Sequence, residues 1–382
     1  MPQEITFLTR HYPPNPNING ESIWDMVKYL QDHYNIKCNI LCIDRTFEGG
    51  GADREPVGHV TNIKTPYQGR NALLRFITFL YDGLMLALKA RKFKHSLIVC
   101  STSPPLLPFW CSLLFGKEID WCLWTFDLFP EFFAVTGKIS PKNPLYKGAK
   151  SKTYQGDPNL LIALGPKQAE HLKKEFQQDL ATIILPCGVL FHQDKSYDEP
   201  DWLQKNKITL GYCGNLGDAH NPEFIKAVID HIEPEKHQLV LALYGSKAAE
   251  VKEYAKNKEG VVLVDRVARN KLHFIQIHLV TLYTSWTHIA VPSKAVSAIA
   301  SNSCILFCGD RNSDNWYMLQ DAGWLIDEND RIDDQVANFL KQLTLNKVEE
   351  KIDQTPALYR NLQSRVYEAY NKMAHYVQSK NH

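Results

Sequence analysis

Three stretches in the second half of the chain carry residues suited to holding a phosphate. In ITLGYCGNLGDAHNPEFIKAVI, Gly211, Gly214 and Gly217 stand where a strand-like run ends and a helical pattern begins. Glycine lets backbone amides come close to an anion, and a following helix N-terminus favours negative charge. The spacing matches neither the dinucleotide fingerprint nor a Walker loop, which needs Gly-Lys-Ser/Thr. In VVLVDRVARNKLHF, Arg266 and Arg269 follow a second strand-like run, and in VPSKAVSAIASNSCIL, Ser293 and Lys294 open a helix. The carboxyl ends of strands in an open parallel sheet share the edge where ligands bind. A glycine turn, two arginines and a lysine are therefore expected at one place. In the first half, WTFDLFPEFFAVTG puts Asp127 and Glu131 after another strand-like run. A carboxylate there can orient or deprotonate a hydroxyl, or it can simply cap a helical turn or sit on a helix face. His11 and His220 read as surface or satisfied core residues.

The elements that must position these groups are legible from periodicity. At 382 residues the chain is longer than one ordinary core supports, which predicts two domains of roughly 150 to 200 residues each. Strand-length apolar runs alternate with helical patterns: ITFLT, CNILCI, SLIVCST, IDWCLWTF, LLIAL and TIILP, then ITLGYCG, QLVLALYG, VVLVD, LVTLYT, CILFCG and GWLID. Alternation of this kind is the mark of parallel sheets wrapped by helices. Helices are expected over 21–33, 71–92, 105–115 and 166–176. The polar FHQDKSYDEPDWLQKNK, 191–207, reads as a linker between domains 1–190 and 208–355. Apolar spacing in LYRNLQSRVYEAYNKMAHYV marks one amphipathic helix over 356–382, expected to pack back on the first domain. The nine cysteines are scattered without a Cys-x-x-Cys pair, which points to free buried thiols rather than disulfides or zinc. A net charge of +1 gives no pull toward nucleic acid. The N-terminus MPQEITFLTRHYPP is neither a signal peptide nor an anchor, and no apolar run is long enough to span a bilayer.

Taken in order, these pieces resemble family 4 glycosyltransferases of the GT-B fold, in particular the bacterial surface-polysaccharide subgroup similar to the N-acetyl-L-fucosamine transferases. FLTRHYPPNPNINGESIWDMVKYL resembles the first strand, glycine-containing loop and helix of that family. STSPPLLPFWCSLL resembles its Ser-Pro-Pro helix start, and DLFPEFFAVTG its Asp-Leu-Trp-Pro-Glu segment. YCGNLG, DRVARNKL, VPSK and DAGWLI then fall in the family's order. The resemblance implies two Rossmann-like domains facing across a cleft, an acceptor held by the first and a nucleoside-diphosphate sugar by the second, with uridine diphosphate the expected nucleotide. It implies transfer with retention, no metal and no cofactor, so the departing diphosphate must be met by fixed cations and amide dipoles. The matching positions for donor binding are Gly20, Gly214, Asn215, Arg266, Ser293, Lys294 and Ser297, with Asp127 and Glu131 on the acceptor side.

The chain also departs from the family's pattern. The usual Glu-x7-Glu pair falls on Ile289 and Ser297, so both acids are missing, and the helix that normally ends in glycine ends at Asn302. Asn tolerates the left-handed conformation such an ending needs. Asp218 replaces a basic residue often found after the glycine turn. The apolar NALLRFITFLYDGLMLAL followed by KARKFKH, within 71–95, suits either a core helix or a membrane surface, where Arg75, Lys89, Arg91, Lys92 and Lys94 would face anionic headgroups. The expected protein is thus a cytoplasmic transferase, peripheral to the membrane, acting on a lipid-linked or growing glycan. Its rivals are a transferase for small-molecule or protein acceptors and a degenerate GT-B subunit that binds without turnover.

Overall fold

The computed structural model describes residues 3–15, 17–45, 54–69, 71–190 and 195–379. By its internal contacts the chain divides into two compact units, Met1–Leu190 with Ser364–His382, and Phe191–Gln363.

The first unit is built on seven parallel strands: β1 (Glu4–Leu8), β2 (Lys37–Asp44), β3 (His59–Lys64), β4 (Leu97–Ser101), β5 (Trp121–Trp124), β6 (Leu160–Ala163) and β7 (Thr182–Ile184), in the order β3-β2-β1-β4-β5-β6-β7. Six of these strands are the expected apolar runs; β1, β2, β4, β5 and β6 are buried along almost their whole length, as a sheet covered on both faces requires, while the edge strand β7 buries only Ile183. β3 has no such run. It is an edge strand that buries only Ile63, so its sequence HVTNIK carries no apolar signal. Helices α1 (Ile18–Tyr34), α2 (Ala72–Ala90), α3 (Leu107–Leu114), α4 (Glu131–Val135), α5 (Pro144–Tyr154) and α6 (Pro166–Phe176) connect the strands. The Asn17 side chain caps α1 by accepting from the Asn19 and Gly20 amides, and Asn35 ends the helix at φ 52°.

The second unit holds six parallel strands: β8 (Ile208–Asn215), β9 (His237–Tyr244), β10 (Val261–Leu263), β11 (Ile277–Thr281), β12 (Cys304–Gly309) and β13 (Gly323–Asp327), in the order β10-β9-β8-β11-β12-β13. Around them lie α7 (Pro222–His231), α8 (Ala248–Ala255), α9 (Ser293–Ala300), α10 (Asp314–Leu319), α11 (Ile332–Gln342) and α12 (Leu345–Ile352). Residues 195–207 form no helix or strand, and Phe191–Asp194 of the expected linker lie outside the described residues. The long helix α13 (Thr355–Ser379) closes the chain, and its expected last residues, 380–382, also lie outside the described set. Its buried Leu362, Val366, Ala369, Tyr370, Met373, Ala374 and Val377 recur at helical spacing. The Tyr29 and Tyr34 hydroxyls of α1 both donate to Asn371 Oδ1 at 2.8 Å, which ties this stretch of α13 to the first unit.

In each sheet the chain starts in the middle and winds outward both ways, so the order reverses between β1 and β4 and again between β8 and β11. Such switch points leave a crevice at the carboxyl ends of the two strands, where ligands of open α/β sheets sit.

Candidate active site

At the second switch point, β8 delivers the glycine turn and β11 the segment after Thr281. His220, on the turn after β8, spans them: its Nδ1 lies 2.5 Å from the Thr281 carbonyl. That contact makes Nδ1 the protonated nitrogen and leaves Nε2 as an acceptor. Lys294 fills the space beside it. Its ammonium donates to the Tyr212 hydroxyl at 2.8 Å, the Asn215 carbonyl at 2.5 Å and His220 Nε2 at 3.2 Å, and it lies 4.6 Å from the centre of the Tyr212 ring. All three N–H groups are thereby used on neutral acceptors. Among the described residues no carboxylate forms an ion pair with Lys294. Burial pulls its pKa down to about 7, and burial with the neighbouring ammonium pulls His220 well below the usual histidine range. A cation held without a counter-ion at a sheet's ligand edge is prepared for an anion.

The glycines make this seat possible. Gly214 has φ +127°, and a Cβ there would lie 2.9 Å from Lys294 Cε, so any side chain would both strain the backbone and push the lysine out. At Gly245, φ +107°, a Cβ would strike Asn215 Oδ1 at 2.1 Å. Asn215 is held in the β8–β9 ladder, with its carbonyl rather than its amide turned to Lys294, while the next amide, that of Leu216, donates to the Tyr244 carbonyl at 2.6 Å.

The structure adds three residues to those expected from sequence. Lys247, two residues beyond Gly245, donates to the carbonyls of His220 at 2.8 Å and Asp218 at 3.2 Å and lies 4.4 Å from the Tyr283 ring centre. Like Lys294, it forms no ion pair with a carboxylate among the described residues. Glu328, directly after β13, accepts from Asn221 Nδ2 at 2.9 Å and from the Thr284 amide. Lys247, Tyr283 and Glu328 stand three, two and one residues past the ends of β9, β11 and β13. The strand-end rule that selected Arg266 would have selected them too.

The remaining expected residues fall as follows. Ser293, Lys294 and Ser297 share the half-buried face of α9, while Ala295, Val296, Ala298 and Ile299 pack beneath. Burying each of the larger two contributes about 2 kcal/mol. Arg266 is exposed in the loop after β10, the edge strand, two strands from β8. Gly20 lies in the first unit, buried in the first turn of α1, where a Cβ would press on the His11 carbonyl at 2.9 Å. Asp127 and Glu131 separate. Phe126, just before Asp127, is clamped by its amide bond to Thr102 Oγ1 at 2.9 Å and by Gln168 Nε2 on its carbonyl at 3.1 Å. From that fixed point Asp127 reaches solvent, and the protein massed around it raises its carboxyl to about 6. Glu131 opens α4 but turns inward to 6% exposure and meets Lys150 at 3.5 Å, which also pairs with Glu175 at 2.8 Å. Burial raises its pKa as well, and its place is inside the packing of the first unit.

No family model matches the chain, and no curated protein matches it. Solved structures do match over nearly their whole length. Sucrose-phosphate synthase from Thermosynechococcus elongatus is 14% identical with a TM-score of 0.71, over 99% of this chain and 98% of that one. WaaG, a glycosyltransferase involved in lipopolysaccharide biosynthesis, is 13% identical with a TM-score of 0.67, over 98% and 99%. A trehalose-6-phosphate protein from E. coli bound with UDP-2-fluoro glucose is 11% identical with a TM-score of 0.67, over 98% of both chains. The chain therefore has the GT-B fold: two Rossmann-like units on parallel seven- and six-stranded sheets, with a long C-terminal helix.

Proposed function

We propose that the chain is a glycosyltransferase that takes a sugar from a nucleoside-diphosphate donor bound at the β8/β11 switch point. The single observation that supports this most is Lys294, an ammonium with no counter-ion wedged between a glycine turn and a helix start at the sheet's ligand edge. In this reading Lys294 and Lys247 neutralise the diphosphate, and the exposed Arg266 adds longer-range charge from the end of β10, two strands away. Ser293 and Ser297 offer hydroxyls on the same face of α9. As the bond from the anomeric carbon to the diphosphate oxygen breaks, these fixed cations stabilise the leaving charge without needing a metal. Asp127, raised toward neutrality and open to solvent, faces the acceptor and takes up the proton of its hydroxyl as the new glycosidic bond forms. Glu131 supports α4 from below. Retention at the anomeric carbon and a role in surface-polysaccharide assembly rest on the sequence resemblance.

A thermal-shift panel of nucleoside diphosphates tests the donor site. One nucleotide, uridine diphosphate foremost, is expected to raise the melting temperature by several degrees. Saturation at about 100 times Kd corresponds to ~2.7 kcal/mol. No shift with any nucleotide would instead favour a subunit that binds partners without turnover.

The acceptor side is proposed to lie against an anionic membrane. No helix among the described residues is long and apolar enough to cross a bilayer. The outer face of α2, however, presents Leu73 at 67% and Ile77 at 50% exposure, beside exposed Leu74, Phe76 and Tyr81. Arg75 lies within this face, and Arg91, Lys92 and Lys94 stand exposed just past its end. Apolar anchors with interspersed cations suit a negatively charged lipid surface. In flotation the protein is expected to rise with phosphatidylglycerol vesicles and not with phosphatidylcholine alone. The pair Leu73→Ser and Ile77→Ser should abolish this, and unchanged flotation of that variant would remove α2 from the contact.

A further inference from the structure

The first unit has its own switch point between β1 and β4, and Arg10 stands there. It follows β1 by two residues, and its carbonyl accepts from the Ile43 amide of β2 at 3.3 Å. The residue is only 8% exposed, yet among the described residues neither Nε nor Nη2 has an acceptor. The guanidinium lies 4.2 Å from the centre of the Phe79 ring, and Arg75, on the same helix as Phe79, approaches that ring at 5.9 Å. Half-buried Arg45, just past the end of β2, donates to the Tyr67 carbonyl at 3.5 Å. Burial and the like charges of Arg45 and Arg75 bring Arg10 down to about 10, so it remains a cation at neutral pH. Asp82 is fully buried; its Oδ2 accepts from Thr65 at 3.3 Å, and its Oδ1 has no partner among the described residues.

Among the described residues, Arg10 and Arg45 thus act on the one carboxyl of Asp82 while Arg75 adds a third guanidinium beside Phe79, which leaves a surplus of positive charge. Buried N–H groups are almost always met by an acceptor, and a guanidinium is shaped to meet phosphate oxygens in pairs. We infer that Arg10, Arg45 and Arg75 form a second anion site that takes the phosphate or pyrophosphate group of the acceptor. This rests on the reading of the chain as a transferase whose first unit holds the acceptor. A doubly charged phosphate group matches the surplus, whereas an uncharged glycan would leave it unmet.

The test is calorimetric titration of inorganic pyrophosphate into the full chain carrying Lys294→Ala, which weakens the second unit's site and leaves the first unit's residues untouched. Saturable binding is expected to persist. It should weaken roughly tenfold in each of Arg45→Ala and Arg75→Ala and vanish in Arg10→Ala. Arg10 is buried, so the two more exposed arginines keep the test decisive if Arg10→Ala fails to fold. Absence of binding in Lys294→Ala, or binding indifferent to Arg45→Ala and Arg75→Ala, would overturn the site. Competition identifies the source: displacement of pyrophosphate by a soluble sugar 1-phosphate indicates a free acceptor. Displacement by phosphatidic acid vesicles, beyond that by phosphatidylcholine vesicles, indicates a lipid headgroup. Failure of the donor reading stays distinguishable, because it shows as a missing uridine diphosphate shift in the unsubstituted chain.

Discussion

Lys294→Ala is expected to weaken nucleoside-diphosphate binding by roughly 10- to 150-fold, the range for a hydrogen bond to a charged group. Lys294 brings a full charge and up to three donors to the anion, so the upper part of that range is the expectation. The pH dependence is the sharper signature. In the ligand-free protein the ammonium titrates at about 7 rather than 10.5, because burial disfavours its charge. A bound diphosphate stabilises the charged form and raises that value. At any pH between the free and bound values, binding takes up a proton. Affinity should then fall as pH rises above 7, by up to about tenfold per pH unit. Below 7 the lysine is already charged, and this contribution levels off. Calorimetry between pH 7 and 9, in two buffers of different ionisation enthalpy, counts the proton directly. An affinity independent of pH in that window, or equal in Lys294→Ala, would remove Lys294 from the donor site. Stability of the unliganded chain should move the other way. Between pH 7 and 10.5 the unfolded lysine holds a proton that the native one has lost, so rising pH favours the native state. The cost of burying the charge is fully present below 7.

The second large effect is expected from Asp127→Asn. Loss of a positioned general base lowers turnover by about 10²- to 10⁴-fold, while the nucleotide thermal shift should stay as in the unsubstituted chain. With its carboxyl raised to about 6, Asp127 should give kcat/KM an acid limb near that pH, and the limb should disappear from the residual activity of the Asn variant. Linkage supplies an independent check. Between pH 3.8 and about 6 the native carboxyl holds a proton that the unfolded one has released, so its cost to stability grows as pH rises and is complete above 6. Asn carries no such cost, so the variant should be at least as stable as the parent at pH 7. Normal turnover in a folded Asp127→Asn protein would exclude the carboxylate from the chemistry.

Much of the fold was readable because its signals are local. Among the described residues, twelve of thirteen strands coincide with apolar runs, since a strand buried on both faces must be apolar along its length. β3 escaped because an edge strand needs no such run. The helix start at Ser293 and the turn at Gly214 were likewise visible as residue types in order. The left-handed Asn302, at φ 62°, ends α9 as its side chain allows.

The sequence by itself determined a parallel α/β chain of two sheets, and which residues stand at the carboxyl ends of most strands. Only the tertiary structure decided what those residues can do. Asp127 and Glu131 are four apart, yet one reaches solvent and the other is buried against Lys150. Lys294 meets Tyr212 and His220 across 82 and 74 residues, and those contacts, not its neighbours in the chain, leave it without a counter-ion. Arg10, which the sequence did not single out, stands with Arg45 from just past β2 and with Arg75 and Asp82 of α2. Periodicity is set by near neighbours. Burial, charge and pKa are set by whatever folding brings within a few ångströms, which sequence order does not specify.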